Sequence, residues 1–162
     1  MTNERNDKFI SIMTNPFKMG FFMFSKLPSA WFSGVRVKHI EPASAEITVP
    51  FKWFSQNPFK STYFACQSMA AEMSTGLLAM MHIYDRKPSV SMLVLSVNGS
   101  FHKKATGITT FRCNDGIKIK ETVEQAIRTG EGVIVDTTSV GVNGKGEVIS
   151  SFDIRWSFKA KK

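Results

Sequence analysis

The sequence predicts an α+β fold in which an antiparallel sheet wraps one long, apolar helix. Three observations predict it. Runs that alternate with period two, bounded by turn signals, occupy much of 35–51 and 90–159. The segment from about 62 to 83 has no proline and is apolar or small almost throughout. The strands group as hairpins, with the helices set apart rather than alternating strand by strand. A length of 162 residues suits one core of ordinary size. The chain divides into an N-terminal helical segment, 1–34, and a main domain, 35–162.

Residues 1–8 are polar and read as loose. Residues 9–31 read as one or two short helices, interrupted at Asn15-Pro16 and Leu27-Pro28, where proline removes a backbone donor. VRVKHIE (35–41) alternates and stops at Pro42, and AEITVPF (45–51) returns, so the two read as a hairpin. WFSQNPFKS is a loop, and Ser61 or Thr62 is placed to cap the helix that follows. Asp85 to Pro88 is a polar turn. VSMLVLSVNGSFHKKA (90–105) is a long strand, apolar on both faces at its start. That pattern predicts burial on both sides and a central place in the sheet.

A strand over 106–113 follows, then a turn at Asn114-Asp115-Gly116. In 117–129, Ile119, Val123, Ala126 and Ile127 share one face of a shorter helix that Gly130 closes. GVIVDTTSVGV (132–142) is a strand, and Asn143-Gly144 signals a hairpin. In the last strand Phe152, Ile154, Trp156 and Phe158 point one way, while Asp153 and Arg155 point the other. The sheet therefore has about six strands.

The central question lies in NPFKSTYFACQSMAAEMSTGLLAM (57–80), whose one acidic residue is Glu72. On a helical projection Ser61, Ala65, Ser68, Gly76 and Ala79 fall within about 40° of Glu72, a stripe of small residues. Phe64, Met69, Met73, Leu77, Leu78, Met80 and Met81 cover most of the rest. A surface helix would carry a charged face. This one carries almost none, so it reads as enclosed by a curved sheet or a partner chain. A carboxylate there must be hydrogen-bonded, paired or open to a wet cleft, and burial raises its pKa. It is either a structural Glu or a general base or nucleophile. At the helix start, free N–H groups and the helix dipole can polarise a carbonyl. Asn57 could orient a water there, or merely start the turn before Pro58. One helix start and Glu72 lie ~10–12 Å apart along the axis. They meet only if two such helices run antiparallel in a symmetric dimer.

Composition narrows the field. The net charge is +8, compatible with nucleic acid, anionic lipid or a phosphorylated small molecule as partner, or with solubility alone. There is no RNP-like signature, zinc-finger spacing or long basic run, which speaks against nucleic acid. Cys66 and Cys113 form no CxxC pair and fit a reducing cytoplasm. His39, His82 and His102 lie far apart, so no metal site is expected. No run reaches the ~18 apolar residues of a membrane span, and MTNERNDKF, with acids and no prompt apolar core, does not read as a signal peptide. FFMF (21–24), with Phe17, Met19 and Leu27, could form a helix lying on a membrane, but packing on its own domain is preferred. A Cys66 nucleophile with His102 is the weaker catalytic alternative, since a cysteine in an apolar helix is usually core.

The order of these parts resembles the hotdog superfamily, and most closely a thioesterase-like branch of it. The passages that carry the resemblance are WFSQNPFKSTYFACQSMAAEMSTGLL (53–78), SFHKKATG (100–107) and NGKGEVISSFDIRWSFK (143–159). The resemblance implies a hotdog domain over 35–162, a sheet wrapped on the 62–83 helix, and a homodimer or dimer of dimers. It also implies an acyl-CoA or acyl carrier protein substrate and no cofactor. Phenylacetate-type thioesterases carry an Asn, a His-Gly-Gly segment at the helix start, and an Asp or Glu on the helix. Asn57 matches the first and Glu72 the last, while Tyr63, Phe64 and Ala65 stand at His-Gly-Gly. The polarising amide would be that of Phe64. Both glycines are absent, and the Phe64 side chain narrows the approach that glycine would allow. By the same resemblance Glu72 would activate water or attack the thioester. Tyr63, Ser61 and Ser68 would line the substrate, and Lys60, Lys103 and Lys104 would reach coenzyme A phosphates. The alternative is a non-catalytic acyl-CoA or fatty-acid binding protein. A hotdog dehydratase needs a His beside the acid, and none is near Asn57 or Glu72 in sequence.

Overall fold

The computed structural model describes residues 2–161. The order of elements is α1 (Thr2–Met13), α2 (Pro16–Lys26), α3 (Pro28–Ser33), β1 (Arg36–Ile40), β2 (Ala45–Val49), a 3-10 turn (Trp53–Ser55), α4 (Phe64–Ile83), β3 (Val90–Phe101), β4 (Thr109–Cys113), α5 (Gly116–Thr129), β5 (Val133–Val142) and β6 (Val148–Ala160). The six strands make one antiparallel sheet in the order β1-β2-β4-β5-β6-β3, and α4 packs across it. This is the α+β architecture expected, with the long helix as its centre.

Local chemistry sets the breaks near the N-terminus. Asn15 caps α2 by accepting from the N–H groups of Phe17 and Lys18, and Pro16 takes the first helical position. Pro28 opens α3 in the same way, and Gly34 ends it in the left-handed conformation at φ 82°. Residues 2–8, read from sequence as loose, instead form the first turns of α1. Polarity misled there, because the apolar anchors come later in the helix. Phe9 and Met13, four apart, are buried, and the Phe9 ring lies 5.4 Å from that of Tyr84.

The other correction concerns β3. Its apolar faces predict a central strand, yet among the described residues it pairs only with β6 and forms the sheet edge. Leu93, Leu95, Val97 and Phe101 are exposed along it. The strand also ends at Phe101, and residues 102–105 continue as loop. β6 behaves as its alternation predicts. Phe152, Ile154, Trp156 and Phe158 face the core, while Asp153 and Arg155 face outward. Each large buried side chain of this kind stabilises the fold by roughly 1.5–3 kcal/mol.

Three polar contacts fix α4 on the sheet. Trp156 Nε1 donates to Thr75 Oγ1 at 2.9 Å, Ser150 Oγ donates to Gln67 Oε1 at 2.8 Å, and the Ser74 and Ser139 hydroxyls share a hydrogen bond of 2.7 Å. All six side chains are buried. Polar groups in an apolar core must be paired, so these contacts fix the helix in rotation and register as well as in depth.

Candidate functional site

The site residues fall into two groups along α4. The first gathers at its N-terminus. Asn57 closes the loop before the helix: its Oδ1 accepts from the N–H groups of Phe59 at 2.9 Å and Ser61 at 3.2 Å, and its Nδ2 meets Ser61 Oγ at 3.1 Å. That closure holds Lys60 at a φ of 58°. Tyr63 then takes the N-cap position with extended backbone and offers no side-chain cap. The N–H groups of Phe64 and Ala65 consequently have no hydrogen-bond partner among the described residues. These are free donors of a helix N-terminus.

Phe64 borders a cavity of about 440 Å³ lined also by Asn57, Ser61, Tyr63, Gln67, His102, Lys103 and Lys104, among others. Lys103 is engaged by Glu147 at 2.5 Å, and Lys104 Nζ donates to the Phe59 carbonyl at 3.4 Å. Gln67 and His102 were not singled out as lining residues. Gln67 is buried, and its Nε2 donates to the Thr62 carbonyl at 3.0 Å, so it braces the loop against the sheet. Its place one turn into α4, on the side of the cavity, was a usable signal.

The second group surrounds Glu72, two turns further along. Glu72 is half-buried in the middle of α4. A cavity of about 220 Å³ opens over it, lined by Lys26, Leu27, Pro28, Ser29, Ala30, Met69 and Met73. The α2–α3 junction therefore roofs the carboxylate. Burial pushes the Glu72 carboxyl above the ordinary carboxylate range. No hydrogen bond or ion pair to its oxygens occurs among the described residues, so the group faces the cavity. The glycine that follows one turn on makes room for it: a Cβ at Gly76 would lie 3.0 Å from Glu72 Oε1. Ser68 precedes Glu72 by one turn and is half-buried.

One chain does not unite these groups. Asn57, Ser61, Tyr63, Phe64, Lys103 and Lys104 line the first cavity, and Glu72 lines the second. Lys60 and Ser68 are in neither lining set. Cys66 is buried against Ser33 of α3, with Sγ 3.5 Å from its hydroxyl, and His102 lies in the first cavity, so the two form no pair. Among the described residues no cluster of three or more His, Cys, Asp or Glu could hold a metal ion, and no helix is long and apolar enough to cross a membrane.

Solved structures share this architecture. A Pseudomonas aeruginosa protein of unknown function, named a probable thioesterase, superposes with a TM-score of 0.75 at 17% identity, over 93% of this chain and 99% of its own. A Haemophilus influenzae thioesterase gives 0.64 at 12% identity, over 89% and 90% of the two chains. A mutant thioesterase from Pseudomonas aeruginosa gives 0.65 at 11% identity, over 91% and 95%. At such identities the likeness speaks for the fold, which is the hotdog fold of these proteins. No curated protein matches the sequence significantly. A family model described as a domain of unknown function matches residues 18–157, nearly the whole chain, and the protein thus belongs to the DUF4442 family.

Proposed function

We propose that the protein hydrolyses acyl thioesters, such as acyl-CoA or acyl carrier protein conjugates, with Glu72 as the general base. One observation carries the reading. A carboxylate in mid-helix, raised in pKa by burial and without a hydrogen-bond partner among the described residues, opens into an apolar cavity. A base of raised pKa accepts a proton from water more readily near neutral pH. Water attacks the thioester carbonyl as Glu72 takes its proton, and the carbonyl oxygen becomes an oxyanion. The free N–H of Phe64 from a second copy of the chain would stabilise that charge. Collapse breaks the C–S bond, and the thiolate leaves with a proton returned from Glu72.

Glu72 and the Phe64 amide of one chain lie ~12 Å apart along the helix axis. The reading therefore calls for a homodimer, or a dimer of dimers, with two α4 helices antiparallel. The open edge of β3, whose exposed Leu93, Leu95 and Val97 are unusual for a solvated edge, is where a second copy would extend the sheet. Leu27, Met69 and Met73 would hold the acyl chain. Ser61, Tyr63 and Ser68 would touch the thioester end, Asn57 would keep the loop closed, and Lys60, Lys103 and Lys104 would meet the phosphates. The thioesterases among the structural neighbours support this reading. So does the resemblance to phenylacetate-type thioesterases in the order of Asn57 and Glu72, although Tyr63, Phe64 and Ala65 replace the whole His-Gly-Gly segment.

A second reading has its own observation. The exposed aromatic rings of Tyr63 and Phe64, packed 4.7 Å apart, stand where the resembled family has a His and its first glycine, and Phe64 crowds the place where glycine would let a carbonyl approach. That favours an acyl-CoA or fatty-acid binder without turnover. Thiol release from a panel of acyl-CoAs, with a parallel binding measurement, separates the two readings. Turnover abolished by Glu72→Ala supports the hydrolase, and binding without turnover supports the binder.

A further inference from the structure

We propose that the outer face of α2 and the aromatic ridge beside it dock the protein on an anionic lipid bilayer. The face is built by helical spacing. Phe17, Phe21 and Phe24 fall within an arc of roughly 60°, and Met19 and Met23 fall on the other side. The two methionines are buried on the domain, whereas Phe17 is 87% exposed and Phe21 74%. One side of α2 thus packs inward as the sequence leads one to expect, and the other presents phenylalanines to solvent. From Phe24 the rings continue across elements: Phe32 lies 6.1 Å away, Phe54 lies 5.5 Å from Phe32, and Trp53 lies 4.8 Å from Phe54. Solvated aromatic patches of this extent mark interaction surfaces.

Charge selects the occupant. Residues 8–40 and 47–71, which supply the whole patch, contain no Asp or Glu. Lys18 lies on α2 about a quarter turn from the phenylalanine arc, Lys52 precedes Trp53, and Lys26 closes α2 on the side away from the phenylalanines. Aromatic rings flanked by Lys18 and Lys52, with no acid in the segments that supply them, match an interface of acyl chains below anionic headgroups. A second copy of the chain fits less well. A two-fold contact through this face would bring the lysines of two copies, Lys18 and Lys52, into one interface whose own segments supply no carboxylate to pair them. Side chains this exposed also form no groove for a partner helix. The same helix ends at Lys26 and Leu27, which line the cavity over Glu72, so a docked protein would hold that opening close to the lipid. The docking proposal stands whether or not Glu72 is catalytic.

The test is co-sedimentation with phosphatidylcholine vesicles, with and without one-third phosphatidylglycerol, at low and high salt. The protein should sediment with the anionic vesicles, less so in high salt, and little with phosphatidylcholine alone. Phe21→Ser/Phe24→Ser should lower partitioning at least about tenfold. Lys18→Gln/Lys52→Gln should lower it about fivefold for each lysine. Ile117→Ser/Ile134→Ser, exposed apolar positions outside the patch, should leave it unchanged. Vesicles should also shift tryptophan emission to the blue, and Trp53→Phe should remove most of that shift. Three results would overturn the proposal. The first is no partitioning into anionic vesicles, and the second is partitioning undiminished in the phenylalanine variant. The third is a change in the protein's size in solution on Phe21→Ser/Phe24→Ser, which would mean that another copy covers the face.

Discussion

The position of the Glu72 carboxylate can be tested without any substrate, through Gly76. Alanine is favoured over glycine inside a helix by about 0.8–1.0 kcal/mol. Gly76→Ala should therefore stabilise α4, unless its methyl meets something. It would meet Glu72 Oε1 at 3.0 Å, while Trp156 Cζ2, at 3.5 Å, is ordinary contact. The carboxylate must then give by a few tenths of an ångström, and a side chain pushed off its rotamer costs about 0.5–1.5 kcal/mol. The two effects nearly cancel, so Gly76→Ala alone should change stability by less than about 0.5 kcal/mol. In a Glu72→Ala background the obstacle is gone and the full gain of about 1 kcal/mol should appear. For a chain of this length that is a rise in Tm of about 2–4 °C. Urea or thermal denaturation of the four proteins measures the coupling directly. An equal gain in both backgrounds would refute the argument, because it would mean that the carboxylate is not held against Gly76.

Three further outcomes follow from the same geometry. Phe64→Pro removes one backbone N–H at the first position of α4, where proline is tolerated, and Tyr63 before it already has a proline-compatible ψ of 139°. Turnover should fall about 10²–10³-fold, while circular dichroism and Tm stay close to wild type. Trp156→Phe removes the hydrogen bond to Thr75 and part of a buried ring, and should cost about 2–3 kcal/mol in urea unfolding. Glu72→Gln should give a pH-dependent gain in stability. The Glu72 pKa is raised by folding, so its charge opposes the folded state once pH exceeds the unfolded value, and most fully above the folded one. Urea midpoints of wild type and Glu72→Gln should converge at acid pH and separate in favour of the variant toward neutral pH.

The sequence made the fold legible where patterns were long. The apolar run ending at Ile83 marked the central helix, and the alternation of Phe152, Ile154, Trp156 and Phe158 marked β6 and its inward face. Proline chemistry at Pro16 and Pro28 located the helix starts. The place of β3 was not legible, because apolar faces report that a strand is to be covered but not by what. Inside one chain that cover is absent from its outer edge. The start of α1 was missed because Phe9 and Met13 anchor it from its far half. At the site, Glu72 stood out as the lone acid on its helix, and Asn57, Phe64 and Glu72 were all named from sequence. The distance between the helix start and Glu72 follows from helix rise; that each lines its own cavity did not follow from the sequence. Nor did the roof of Lys26 and Leu27 over Glu72, because it is a tertiary contact between segments more than 40 residues apart.

The central claim is that Glu72 performs thioester hydrolysis, and thiol release tests it most directly. Wild type and Glu72→Ala should be compared on short, long and aromatic acyl-CoAs, with folding and size checked for both. The account predicts turnover by wild type on at least one chain length and its loss in a folded, dimeric Glu72→Ala. Turnover retained by Glu72→Ala, or none by a wild type that still binds acyl-CoA, would contradict it and leave Glu72 a structural residue in a binding protein.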